Sequence, residues 1–198
     1  TSKFGLGFEF FTGFGKYTGE LNRHFNYNVP FGVAFDLRYK NWTLFLRDYI
    51  GLGRINENVE QNGITWTPES GAESVLAEAS IGYTFRSNRK LTLTPFIGIS
   101  GHEISPRARD RDLRPELDDV RLRFTRTYTT GINLDLKLAQ SNIPIASMNK
   151  PEEGYWMMRV RYSFNAPEFQ RRYGAFSGHM HYITIGFGGI GRRVKRDY

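Results

Sequence analysis

The sequence predicts an all-β fold, an eight-stranded antiparallel up-and-down transmembrane β-barrel, and three observations predict it. Apolar and polar residues alternate with a period of two over segments of about ten residues, which is the signature of extended backbone with two unlike faces. The connections between segments alternate short and long. Aromatic residues gather where segments meet turns: Tyr39 with Trp42, Tyr83 with Phe85, Tyr155 with Trp156.

The hairpin Val29–Leu52 carries the pattern most plainly. Val29, Phe31, Val33, Phe35, Leu37 and Tyr39 alternate with Pro30, Gly32, Ala34, Asp36, Arg38 and Lys40. After a turn at Lys40-Asn41, Trp42, Leu44, Leu46, Ile50 and Leu52 alternate with Thr43, Phe45, Arg47, Tyr49 and Gly51. This hairpin supplies the second and third strands, and Phe4–Phe14 supplies the first. The fourth and fifth are Ser74–Phe85 and Leu91–His102, joined by Arg86–Lys90. The sixth, about Val120–Leu138, is the longest; the seventh is Tyr155–Phe164 and the eighth about His179–Ile190. Residues 15–28, 54–73, 103–119 and 165–178 read as polar loops outside the cell, with both termini on the periplasmic side. Ala139–Gly154 falls on the short-turn side yet is long.

Length and composition suit this reading. The 198 residues form one domain, a barrel over 1–191 followed by a basic tail over 192–198. Hydrophobic content is 39% and mean hydropathy −0.48, with no segment resembling a transmembrane helix. A membrane barrel tolerates such values, because only alternate residues need be apolar. The absence of cysteine excludes a disulfide framework and cysteine-ligated metal. With no initiator methionine or signal peptide, the chain begins like a mature or trimmed product. The net charge of +7 points to an anionic partner, nucleic acid or lipid phosphate, or to arginines lining a polar interior and loops.

Alternation alone does not say which face is outside, since a lipocalin-like barrel hides its apolar face around a ligand. The polar face here mixes charges with Gly5, Gly7, Gly32, Gly82, Gly98, Gly131 and Gly186. A narrow interior needs such small residues; a water-facing exterior does not. Each apolar run is also long enough for a tilted strand to cross a bilayer. In this pattern the chain resembles the small eight-stranded outer-membrane barrels of Gram-negative bacteria, the OmpA- and OmpX-like group. The resemblance covers nearly all of the chain and rests on no local motif. It implies the bacterial outer membrane as location and lipid or lipopolysaccharide as surroundings. Two departures are the residues Gly191–Tyr198 after the last apolar run and Pro95 within the fifth strand.

The polar face predicts a charge network of Glu9, Asp36, Arg38, Arg47, Glu78, Arg121, Arg123, Asp135, Lys137, Arg159 and Arg161, with Asp36 diagonal to Arg47. Such groups must pair if they are buried. The weak catalytic candidates are Ser100, His102 and Glu78, which would support acyl hydrolysis if brought together. Pairing Phe85 with Leu91 would set Glu78 opposite Gly98 and diagonal to Ser100. His179 and His181 lack a third ligand, so no metal site is expected, and no cofactor either. Gly186–Gly189 lacks the lysine and helix of a phosphate loop. The basic run Arg107–Arg114 is interrupted by Asp110 and Asp112 and lacks aromatic platforms, which argues against nucleic acid. Asp48 and Arg126 fall on the apolar face, so a bulge turns Asp48 inward or a partner covers it. Expected partner contacts are Asp48, Ile143, Ile145, Met148, Arg192, Arg193, Lys195 and Arg196. The expected function is an integral outer-membrane barrel serving as a non-catalytic structural or accessory component docked with other envelope proteins. The alternatives are a lipid-modifying acyl hydrolase and a small pore.

Overall fold

Long strands dominate the computed structural model, which describes residues 3–141, 152–169 and 176–193. They are β1 (Phe4–Tyr17), β2 (Phe25–Tyr39), β3 (Trp42–Ile55), β6 (Gly71–Tyr83), β8 (Leu91–Pro106), β9 (Leu122–Ser141), β10 (Glu152–Phe169) and β11 (Met180–Arg193). Short strands β4 (Val59–Gln61), β5 (Ile64–Trp66) and β7 (Arg86–Ser87) lie between them. Two six-residue helices, α1 (Gly19–His24) and α2 (Ala108–Leu113), and a 3-10 turn at Pro115–Asp119 complete the elements.

The main sheet has nine strands in the order β6-β3-β2-β1-β11-β10-β9-β8-β7, all its pairings antiparallel, and β6 pairs with β8 as well as β3. Strands β4 and β5 form a separate two-stranded sheet. The expectation of an eight-stranded up-and-down transmembrane barrel of the OmpA- and OmpX-like group is corrected by this topology. The chain is an all-β, sheet-rich molecule whose nine-stranded sheet and separate hairpin are not described by a simple eight-strand count. Alternation detects long strands and is blind to strands of two or three residues.

Register decides which side chains share a face. Tyr39 pairs with Trp42, Arg38 with Thr43 and Asp36 with Phe45 around a turn where Lys40 takes φ of +55°. Between β6 and β8 the register lies two residues from the expected one, with Glu78 opposite Ser100 rather than Gly98. The cause is local: the Phe85 N–H bonds to the carbonyl of Leu93, and β7 occupies the turn beside Leu93 and Thr92. Pro95 sits just past the last β6–β8 pair, Gly82 with Phe96, so its missing N–H breaks no bond on that side. Strand β11 continues through Arg192 and Arg193, which pair with Glu153 and Glu152, so these two residues belong to the sheet.

The two faces of the sheet differ sharply. One buries Glu9, Asp36, Arg38, Thr43, Arg47, Glu78, Asn133, Asp135, Arg159 and Arg161. The other exposes large apolar side chains, among them Phe10 at 63%, Phe35 at 58% and Ile97 at 65%. At one end of the long strands the segments expected to be polar loops fold into a cap. Leu21 of α1, Val59 and Trp66 of the β4–β5 hairpin, and Leu117 of the 3-10 turn are fully or almost fully buried in one cluster with Phe25 and Ile104. The Trp66 ring meets that of Phe25 at 5.6 Å between centroids. Loops with their own buried apolar anchors are ordered elements, not solvated connections.

Candidate functional site

The charged residues of the buried face meet in one layer, with Arg159 at its centre. Its guanidinium reaches Glu9 at 2.8 Å, Asp36 at 2.7 Å and Asp135 at 2.6 Å, every side chain essentially inaccessible. Arg38 shares Asp135 at 2.9 Å and donates to the Tyr155 hydroxyl at 2.8 Å. Arg47 pairs with Glu9 at 3.0 Å, and Arg161 pairs with Glu78 and donates to Asn133 at 3.1 Å. Four guanidinium groups thus face four carboxylates. Planar guanidinium groups also lie over aromatic faces, Arg161 on Phe96 at 3.5 Å and Arg47 on Phe11 at 3.8 Å.

Asp36 and Arg47 are not partners, although β2–β3 register makes them diagonal neighbours. The long arginine side chains reach past the neighbouring strand, so Arg159 of β10 takes Asp36 of β2, three strands away, and Arg47 of β3 takes Glu9 of β1, two strands away. Glycine makes room for this: a Cβ on Gly186 would collide with the Glu9 carboxylate. Three expected members lie outside the layer. Arg121 and Arg123 turn away because a register shift between Ser100 and His102, opposite Thr127 and Phe124, reverses the parity of β9. Leu122 and Phe124 point inward instead, while Arg123 pairs with Glu103 at 2.6 Å and Arg121 approaches the same carboxylate at 3.9 Å. Lys137 reaches to the turn, donating to Ser87 at 3.1 Å and the Asn88 carbonyl at 2.8 Å.

Sequence reasoning missed a second polar cluster nearer the cap. Asn28 donates to the hydroxyls of Tyr17 at 3.1 Å, Tyr182 at 3.3 Å and to Ser74, and the Tyr49 and Tyr182 rings meet edge-on at 5.5 Å. The available signal was Gly51, whose Cβ would occupy the Asn28 carboxamide.

Ser100, His102 and Glu78 share a wall but no hydrogen-bond relay among the described residues. The Ser100 hydroxyl lies 3.4 Å from that of Thr129, while Glu78 accepts from Arg161 and Ser80. His102 packs on Phe124 at 4.8 Å, with neither ring nitrogen partnered among the described residues. His179 stacks on Phe164 and His181 lies 3.0 Å from the Tyr162 hydroxyl. No group of three metal-ligating side chains occurs among the described residues. The basic run Arg107–Arg114 folds into the cap through an Arg107 bond to the Gly53 carbonyl at 2.9 Å and an Asp110 bond from the Gly71 N–H at 2.7 Å. In the same cap a hydrogen bond from its own backbone, then Arg114, holds the Glu116 carboxyl below the usual carboxylate range.

On the exposed face, Asp48 stands opposite Val33 on one side and Ala77 on the other, in unbroken register. No bulge turns it inward. Arg126 is exposed on the same face and donates to the Tyr128 hydroxyl at 3.2 Å. Ile143, Ile145, Met148, Lys195 and Arg196 lie outside the described residues, as do the side chains of Arg192 and Arg193.

No protein-family model matches the chain, and no curated protein matches it in sequence. Among solved structures, the chain is similar to Neisserial surface protein A, with a TM-score of 0.52, 9% identity and coverage of 94% of this chain and 96% of that one. The attachment invasion locus protein Ail of Yersinia pestis, solved with the heparin analogue sucrose octasulfate, gives a TM-score of 0.47 at 10% identity, covering 96% of this chain and 99% of that one. At such identities the first likeness shows a shared fold.

Proposed function

We propose that this chain is an outer-membrane-associated bacterial surface protein with a non-catalytic, accessory role. Its apolar face is covered by lipid or lipopolysaccharide acyl chains, and its cap faces water. The observation that carries the reading is the inverted distribution of side chains. Ion pairs and amides fill the buried face, while Phe10, Phe35, Ile50, Ile97 and Ile185 are each more than half exposed. Apolar exposure on this scale marks an interaction surface, and in water it promotes aggregation. Lys16, Arg54 and Arg126 are exposed where the apolar face meets the cap, the level at which anionic headgroup phosphates would lie. A surface placement is also in keeping with the name of the Neisserial protein. A non-catalytic role accords with Glu78 being committed to Arg161 and Ser80, so that among the described residues no carboxylate bonds to His102.

The test is refolding into phosphatidylcholine vesicles followed by density-gradient flotation. The chain should float and require detergent to leave the vesicles. A monodisperse chain that stays in the aqueous fraction overturns the reading. Replacing Ser100 and His102 by alanine should leave the lipid composition of expressing cells unchanged.

A further inference from the structure

Asp48 is a carboxylate in the middle of an apolar face. It lies six residues from Trp42, in the aromatic rim at one end of β3, and six from Arg54 at the other. At about 3.4 Å per residue and a tilt near 45°, that puts it about 14 Å from either rim, close to the centre of a hydrocarbon layer about 30 Å thick. Among the described residues no cation or hydrogen-bond donor is paired with it, and the regular register leaves it facing outward. A charge so placed is unfavourable against lipid.

The wall around Asp48 is hollow. Ala77 and Gly101 follow it at the same level on β6 and β8, and a Cβ on Gly101 would meet nothing within 4 Å. These small residues leave a depression of about 520 Å³. It shares Ala79 and Ile99 with a second hollow of about 600 Å³, floored by Gly98 and walled by Tyr128 and Phe164. The two form a continuous apolar groove with one negative charge at its end.

Three occupants differ in how they treat that charge. Acyl chains fill the groove but leave the carboxylate unpaired. A second copy in a two-fold contact centred on the groove carries the two Asp48 carboxylates to opposite ends of it, each against the apolar Phe164 end of the other copy, and leaves both unpaired. A protein segment bearing one cation satisfies both shape and charge. We propose that this groove seats a partner protein, through an apolar segment embedded in the same lipid that presents one arginine or lysine to Asp48. This rests on the lipid-covered reading of the exposed face.

The test uses the full chain in phosphatidylcholine vesicles with a fluorescent donor on Arg89→Cys, in a turn away from the groove. Acceptor-labelled synthetic Leu/Ala helices of about 20 residues serve as probes, one with a central arginine and one with leucine there. Energy transfer should show the arginine helix associating about tenfold more tightly. Asp48→Asn should abolish that preference. Ala79→Phe, which fills the groove and keeps the charge, should weaken the arginine helix as well. Equal association of the two helices, or a preference that survives Asp48→Asn, overturns the proposal. Self-association of the chain that is lost in Asp48→Asn would assign the groove to a second copy and overturn it too. Flotation of the same vesicles separates the two readings. A chain that floats but does not discriminate ends this inference alone, and one that does not float ends both.

Discussion

Arg159 is the residue on which the buried face depends, because one guanidinium neutralises parts of three carboxylates that have no water to turn to. Replacing it by methionine keeps much of the volume and leaves Glu9, Asp36 and Asp135 short of positive charge. Breaking a buried ion pair from one side costs about 3–5 kcal/mol, far more than the pair's net contribution. Arg159→Met should therefore lower the unfolding free energy of the vesicle-bound protein, read from urea titration, by that order. Arg23→Ala, which breaks exposed contacts to Glu57 at 2.7 Å and Glu20 at 3.7 Å, should change stability by about 1 kcal/mol or less. Equal effects would mean that water reaches the layer. Two glycines make a second contrast. A Cβ on Gly188 would strike the Phe8 carbonyl and the Glu9 Cα, backbone atoms with no freedom to move. Overpacking of that kind costs about 1–3 kcal/mol, so Gly188→Ala should destabilise while Gly101→Ala stays near wild type.

The elements show why part of this architecture was legible and part was not. Period-two alternation marks strands such as β3 without ambiguity, because every second residue from Trp42 to Leu52 is exposed and those between are buried. The β2–β3 register followed from the shortness of the turn at Lys40-Asn41. Alternation breaks where parity changes, and the irregularity near Ser100 sent Arg121 and Arg123 to the wrong face in the sequence reading. Ion-pair partners were illegible for another reason: a diagonal between adjacent strands is readable from register, but contacts between strands two or three apart depend on how far each side chain reaches past its neighbour. The cap was hidden because its apolar residues are isolated in polar segments. Trp66 is the clearest of them, fully buried between Phe25 and its neighbours. Trp66→Ala should cost about 3–5 kcal/mol within the cap. Hydrogen exchange should show lost protection over Val59–Trp66 and at Leu117, with the amides of β10 and β11 unchanged. Uniform loss through the main sheet would mean that the cap and sheet unfold as one unit.

For the whole molecule, the question is which medium covers the apolar face, and a charge scanned along one strand answers it. Phe10 and Phe4 both lie on the exposed face of β1, at 63% and 60% exposure, so an aqueous solvent would treat them nearly alike. In water, arginine at either site belongs with ordinary surface substitutions, worth about ±0.5 kcal/mol. Lipid makes the two sites unequal. Phe10 is mid-strand between Val33 of β2 and Phe187 of β11, surrounded by apolar neighbours, whereas Phe4 begins the strand beside Tyr39 in the aromatic rim. An arginine on a lipid-facing strand costs about 2–4 kcal/mol at the bilayer midplane and about 0–1 near the interface. Phe10→Arg should accordingly depress the unfolding midpoint in vesicles strongly, and Phe4→Arg only slightly. Phe10 lies only two strands from Asp48, across Val33, about 10 Å away, so both substitutions are made in the Asp48→Asn background, where the introduced arginine has no carboxylate beside it to pair with. A flat response along β1 would show that water covers this face, while a graded one would locate the hydrocarbon centre at the level of Phe10.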